Sequence, residues 1–139
     1  MEIEPFVGGG DKQWKQGAGA RGYTYEGKGD YPVYPWKKSE KSSIKKTISN
    51  VKKVQLVYGT DWLVSLMTAL NMDPKPDVIY FVTDGATGKP DLIVKEVVRE
   101  ARRGKDTQIN TIGLLKPQQA GGLMDIAKGT KGKFKLIKE

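Results

Sequence analysis

The stretch Asp77-Val78-Ile79-Tyr80-Phe81-Val82-Thr83-Asp84-Gly85 decides how this chain is read. Val78 to Val82 is an uninterrupted apolar and aromatic run rich in β-branched residues, the pattern of a strand buried on both faces of a parallel sheet. The chain then turns polar at once. Thr83, Asp84 and Gly85 fall where such a strand reaches the carboxyl edge of its sheet, the edge on which open α/β folds hold ligands. An acid at that position is a candidate metal- or phosphate-proximal group, and it is also an ordinary strand-ending turn residue.

On the amino-terminal side, Asp73-Pro74-Lys75-Pro76 stops a helix and releases the strand, because proline removes backbone donors and disfavours helix at the residue before it. That helix runs from Trp62 to Asn71, with Leu63, Leu66, Met67 and Leu70 on one face and Thr60 or Asp61 as its cap. Val54 to Tyr58 reads as a short extended connection. Before it, Ser39 or Ser42 caps a helix whose stripe is Ile44, Ile48 and Val51, with Lys45, Lys46, Lys52 and Lys53 facing water.

Downstream, Pro90 opens a helix through Arg103 whose buried stripe is Ile93, Val97, Val98 and Ala101, and Gly104 ends it. Thr107 to Leu115 reads as a second strand. Gln118 to Lys128 is a further helix with Leu123, Ile126 and Ala127 inward, broken by Gly129, and Phe134, Leu136 and Ile137 mark a last strand. Helix and strand alternate after residue 60, which implies parallel pairing through right-handed crossovers.

The first 38 residues differ in character. Ile3 to Val7 is a short strand interrupted by Pro5. From Gly8 to Trp36, eight of the 17 glycines are interleaved with Trp14, Tyr23, Tyr25, Tyr31, Tyr34 and Trp36. Such a segment is a stacking platform for nucleic-acid bases or sugars, with Arg21 and Lys28, or a long loop or irregular hairpin whose rings pack onto the domain. Gly22 to Lys28 has the spacing of a phosphate-binding loop, but Gly29 stands where a Ser or Thr is required, and no apolar strand precedes it.

Composition removes whole classes of chemistry. The chain has 139 residues, no Cys and no His, so thiol nucleophiles, disulfides, thiolate metal sites and imidazole bases are absent. No nucleophile and base stand at a recognisable spacing, and an enzyme is not expected. Lys plus Arg number 24 against 16 Asp plus Glu, a net charge of +8. These are mostly lysines spread along helices and the tail, the distribution of a solvated face rather than a nucleic-acid patch. No apolar run reaches a membrane span, and the acidic start Met1-Glu2-Ile3-Glu4 is unlike a signal peptide, so a cytoplasmic location is expected if Met1 is the native start.

Four blocks together carry a resemblance. Gly59-Thr60-Asp61 opens a helix, Asp77 to Gly85 is a strand ending Thr-Asp-Gly, and Ile109-Asn110-Thr111-Ile112-Gly113 is the next strand. Leu123 to Gly132 reads Leu-x-x-Ile-Ala-x-x-Thr-x-Gly. In this order and spacing they resemble the second half of a von Willebrand factor A domain, over roughly residues 40 to 139. The resemblance implies an α/β, three-layer Rossmann-like fold, a mostly parallel sheet flanked by helices, here incomplete. It makes the chain one truncated domain, with a Gly/aromatic-rich segment at 1–38 and a helix/strand core at 39–139.

In that family a Mg or Mn adhesion site lies at the carboxyl edge of the sheet. Thr60 matches its threonine, Asp84 matches the aspartate of the later strand, and Asp61 is the neighbour. The family's Asp-x-Ser-x-Ser loop has no counterpart, since Ser39, Ser42, Ser43, Ser49 and Ser65 are the only serines and none stands in that pattern. No cofactor is therefore required, and any Mg or Mn would be held weakly, with mostly water as ligand. Otherwise Thr60 and Asp84 serve as cap and turn residues or share a hydrogen bond.

In the complete fold, the strand carrying that loop lies beside Val78 to Val82. Without it this strand is an edge, an open ladder flanked by side chains suited to burial. The N-terminal segment, a second copy or another polypeptide must cover it. A homodimer repairs both chains at once, with Val78, Tyr80 and Val82 at the interface. The expected function is thus a self-associating interaction module. The alternatives are a fragment of a longer protein that binds an acidic partner through a metal, and a Lys-rich nucleic-acid-binding module.

Overall fold

In the computed structural model, residues 14–16, 23–25, 31, 34–53 and 60–137 are described. The Ile3 to Val7 strand, the Val54 to Tyr58 connection and most of the Gly22 to Lys28 stretch lie outside them. Within the Gly/aromatic segment, β1 (Trp14–Gln16) pairs antiparallel with β2 (Tyr23–Tyr25). That pairing agrees with the irregular-hairpin reading.

The core is a three-stranded parallel sheet in the order β3 (Val78–Thr83), β4 (Gln108–Gly113), β5 (Phe134–Leu136). β3 and β4 pair from Val78↔Gln108 to Thr83↔Gly113, and β4 and β5 from Thr111↔Phe134 to Gly113↔Leu136. The crossovers are α3 (Pro90–Ala101) and α4 (Gly121–Gly129), while α2 (Trp62–Leu70) precedes β3. Consecutive right-handed crossovers in the order 3-4-5 place both helices on the same face. The core joins Trp62, Leu66 and Leu70 of α2 with Ile93, Val97 and Ala101 of α3, Leu123 and Ile126 of α4, and Ile79 and Ile109 of the sheet.

Element ends differ from the sequence expectation by a few residues, for local reasons. α3 stops at Ala101 instead of Arg103, and Lys75 Nζ donates to the carbonyls of Glu100 (2.7 Å), Ala101 (3.1 Å) and Arg103 (2.8 Å), satisfying groups that the helix end leaves open. The stretch expected as one helix from Gln118 splits into a 3₁₀ turn, Pro117–Gln119, and α4. Gly129 lies within α4, and Thr130 caps it.

Where β5 is too short to pair with the start of β4, Thr130 replaces it. Its buried hydroxyl accepts from Ile109 N at 3.1 Å and donates to Ile126 O at 2.8 Å. Beside it, a Cβ on Gly132 would lie 1.9 Å from the Ile109 carbonyl oxygen, so only glycine lets the chain pass.

Two expectations are corrected. β3 is not buried on both faces: Ile79 is buried, but Val78, Tyr80 and Val82 are 41%, 72% and 54% exposed. No helix among the described residues covers their side of the sheet, so the described architecture has two layers, not three. Likewise α1 (Lys41–Lys53) leaves Ile44 and Ile48 about half exposed, because no described helix or strand packs extensively on its stripe.

Candidate functional site

Two features meet at β3, one at its end and one along its open side. At the end, the parallel ladder closes where Leu114 N donates to Thr83 O at 2.8 Å. Thr83 Oγ1 then accepts from Gly85 N at 3.2 Å, a side-chain turn that leaves Asp84 exposed at its tip. Trp62, 1% exposed, packs its ring edge-on to Phe81 at 6.2 Å and donates from Nε1 to Gly85 O at 3.0 Å. These contacts draw the start of α2 against the end of β3.

The result is a cleft of about 230 Å³ lined by Thr60, Asp61 and Ser65 on one side and by Val82, Thr83 and Asp84 on the other. The structure therefore brings together all three residues that the sequence nominated. It also assigns the cap: Asp61 Oδ1 accepts from Val64 N at 3.0 Å, and Ser65 Oγ donates to Asp61 O at 3.0 Å. Thr60 instead packs on Gly85.

As a divalent-cation shell this set is thin. Asp61 spends one oxygen on α2, leaving Asp84 as the one carboxylate of the cleft without such a duty. Among the described residues no group of three or more His, Cys, Asp or Glu is placed to hold a metal. An octahedral Mg shell would draw most of its ligands from outside this cleft. The residues present do not make a resident metal centre by themselves.

Along the open side, β3 pairs with β4 alone, so its outer backbone ladder has no described partner. Alternation places Val78, Tyr80 and Val82 on the face that no described helix covers, in line with Gln108, Asn110 and Ile112 of β4 and Lys135 of β5; of the β4 residues Asn110 is buried and the other two are half-buried, so the exposed apolar row is that of β3. The pairing continues one residue further, where Ile137 N donates to Gly113 O, and Leu114 and Ile137 extend the apolar surface at 43% and 42% exposure. Sequence reasoning missed this extension, although the two-residue period through 108, 110, 112 and 114 carries it. Asn110 Oδ1 accepts from Lys133 N at 2.8 Å and from Gln108 Nε2 at 3.1 Å, so the polar centre of the face is internally satisfied.

No described helix is long and apolar enough to cross a membrane. No protein-family model, curated protein or solved structure matches the chain. The likeness to an A domain thus rests on the four sequence blocks alone.

Proposed function

We propose that the chain is a non-enzymatic protein-interaction module of the A-domain type that self-associates through β3. The observation that carries this reading is a parallel sheet whose first strand is apolar on a face that no described helix covers and whose outer ladder has no partner among the described residues. Natural sheets blunt such edges with charge, proline or a bulge, and β3 has none of these between Val78 and Thr83. Two copies joined at β3 about a two-fold axis pair antiparallel. Each closes the other's ladder, and the helices of both stay on one side.

Light scattering across a concentration series, in EDTA and then in millimolar Mg, tests this. A concentration-dependent dimer mass unaffected by metal is the expected result; a monomer throughout overturns it. Because each copy carries +8, added salt screens repulsion and tightens the dimer. Nucleic-acid binding by the lysines would weaken with salt instead.

A second reading is favoured by the convergence of Thr60, Asp61 and Asp84 in one cleft. In it, these residues are part of a longer protein's adhesion site, which completes a Mg or Mn shell with groups from elsewhere and binds an acidic partner. Mg-dependent mass or melting temperature would favour that reading over self-association.

A further inference from the structure

The chain has two apolar faces without a described partner, and they match one another. One is the β3 row Val78, Tyr80 and Val82; the other is the Ile44 and Ile48 stripe of α1. Thirteen helical residues and six strand residues are both about 20 Å long. Their ends also match in charge. Lys41 precedes Ile44 by three residues and Lys52 follows Ile48 by four, which puts both lysines on the apolar stripe. Asp84 and Asp77, the latter ion-paired with Lys105 of its own chain, bracket the β3 row, and both are exposed. Within the uncovered sheet face, Lys135 is the one charged side chain of the three strands, so no carboxylate there would be buried by a helix.

The flanks of α1 are tied to the two ends of this strand. Trp36 Nε1 donates to Pro74 O at 2.7 Å, ahead of β3, and Thr60 lies against Gly85 beyond it. Yet within one chain Ile44 and Ile48 stay half exposed and α1 has no extensive packing on a described strand.

The geometry points to α1 as the cover of the sheet of a second copy: Ile44 and Ile48 of each chain dock on Val78, Tyr80 and Val82 of the other, with Lys41 and Lys52 meeting Asp77 and Asp84. This assignment rests on the self-association proposed above. It adds a helix layer to a sheet face that no described helix of one copy covers.

The chain lacks cysteine, so single thiols report contacts without background. Ile48→Cys and Tyr80→Cys chains carrying tags of different size are mixed and treated with a short bis-maleimide, beside a Lys46→Cys control from the opposite side of α1. The expected result is a mixed-size band for Ile48→Cys with Tyr80→Cys and none for the control. In the otherwise unaltered chain, Ile44→Glu with Ile48→Glu raises the dimer Kd at least about tenfold while leaving the fold intact, since both side chains are exposed.

A dimer mass without the mixed band, or with an unchanged Kd for the glutamate variant, overturns the helix exchange and leaves edge pairing standing. A cross-link confined to one chain of the Ile48→Cys/Tyr80→Cys double variant overturns it as well, because α1 then covers its own sheet. Monomers at every concentration overturn both readings.

Discussion

Gly85 and Thr60 are in such close contact that a Cβ on Gly85 would lie 2.1 Å from Thr60 Oγ1. This contact and the bond from Trp62 to the Gly85 carbonyl fix α2 to the end of β3. Gly85→Ala forces Thr60 aside, at a cost of about 1–3 kcal/mol for an overpacked site. Thr60→Gly empties the space that the new methyl needs. Urea unfolding of the two single variants and the double is expected to show the double closer to the parent than Gly85→Ala. Additive losses would mean that the two residues do not touch in solution.

Trp62 supplies both the ring against Phe81 and the donor to Gly85. Trp62→Phe keeps most of the apolar area and loses the donor, so a loss of about 1–3 kcal/mol is expected, against about 3–5 kcal/mol for Trp62→Ala. Circular dichroism is the readout that compares these variants, since each of them removes one of the three tryptophans that report by fluorescence.

The Thr130 hydroxyl stands in for a missing residue of β5 by accepting from Ile109 N. Thr130→Val keeps the shape and strands a buried N–H, which costs about 1–3 kcal/mol, whereas Thr130→Ser stays within about 1 kcal/mol of the parent. Amide exchange at Ile109 provides the local check. It should accelerate in the valine variant and not in the serine variant.

The element order after residue 60 and the parallel sheet were legible in the sequence because each rests on local signals. Proline at 74, 76 and 90, the apolar run 78–82 and the stripes 93-97-101 and 123-126-127 need no knowledge of partners. What an apolar run cannot reveal is how many of its faces are covered. Val78, Tyr80 and Val82 have the same composition as a doubly buried strand, and the α1 stripe looks the same docked or free. Coverage is a tertiary property. For the same reason, the contacts that Lys75 makes at the end of α3 were hidden, since it lies 25 residues before Glu100 in the chain.

Lys75 gives a pH signature. Burial lowers its pKa from the ordinary 10.5, opposed by the nearby Glu100 carboxylate and reinforced by Arg103. The folded chain therefore holds this proton less tightly than the unfolded chain. Protonation of Lys75 opposes folding below the lowered value, and that opposition fades as pH rises through it toward 10.5. Lys75→Met removes three carbonyl contacts at the end of α3 and destabilises by about 1–2 kcal/mol at neutral pH. The deficit of the Met variant relative to the parent should widen in the alkaline window, not shrink. A parallel pair of stability curves would show that Lys75 titrates as a free lysine.

Tyr80 separates folding from association. At 72% exposure on the uncovered face, it contributes little to the core of one copy, so Tyr80→Lys should leave monomer stability within about 0.5 kcal/mol of the parent. In a two-fold pairing centred on β3, however, position 80 of one strand lies near position 80 of the other, and the substitution sets two lysines side by side in a complex whose copies each carry +8 already. The expected outcome is an unchanged urea midpoint at low protein concentration together with a monomer mass at concentrations where the parent is a dimer. A parent and variant of equal mass at every concentration would remove β3 from the interface. If the variant instead unfolds at low urea, Tyr80 is buried in solution, and the cover of the uncovered face belongs to the same chain.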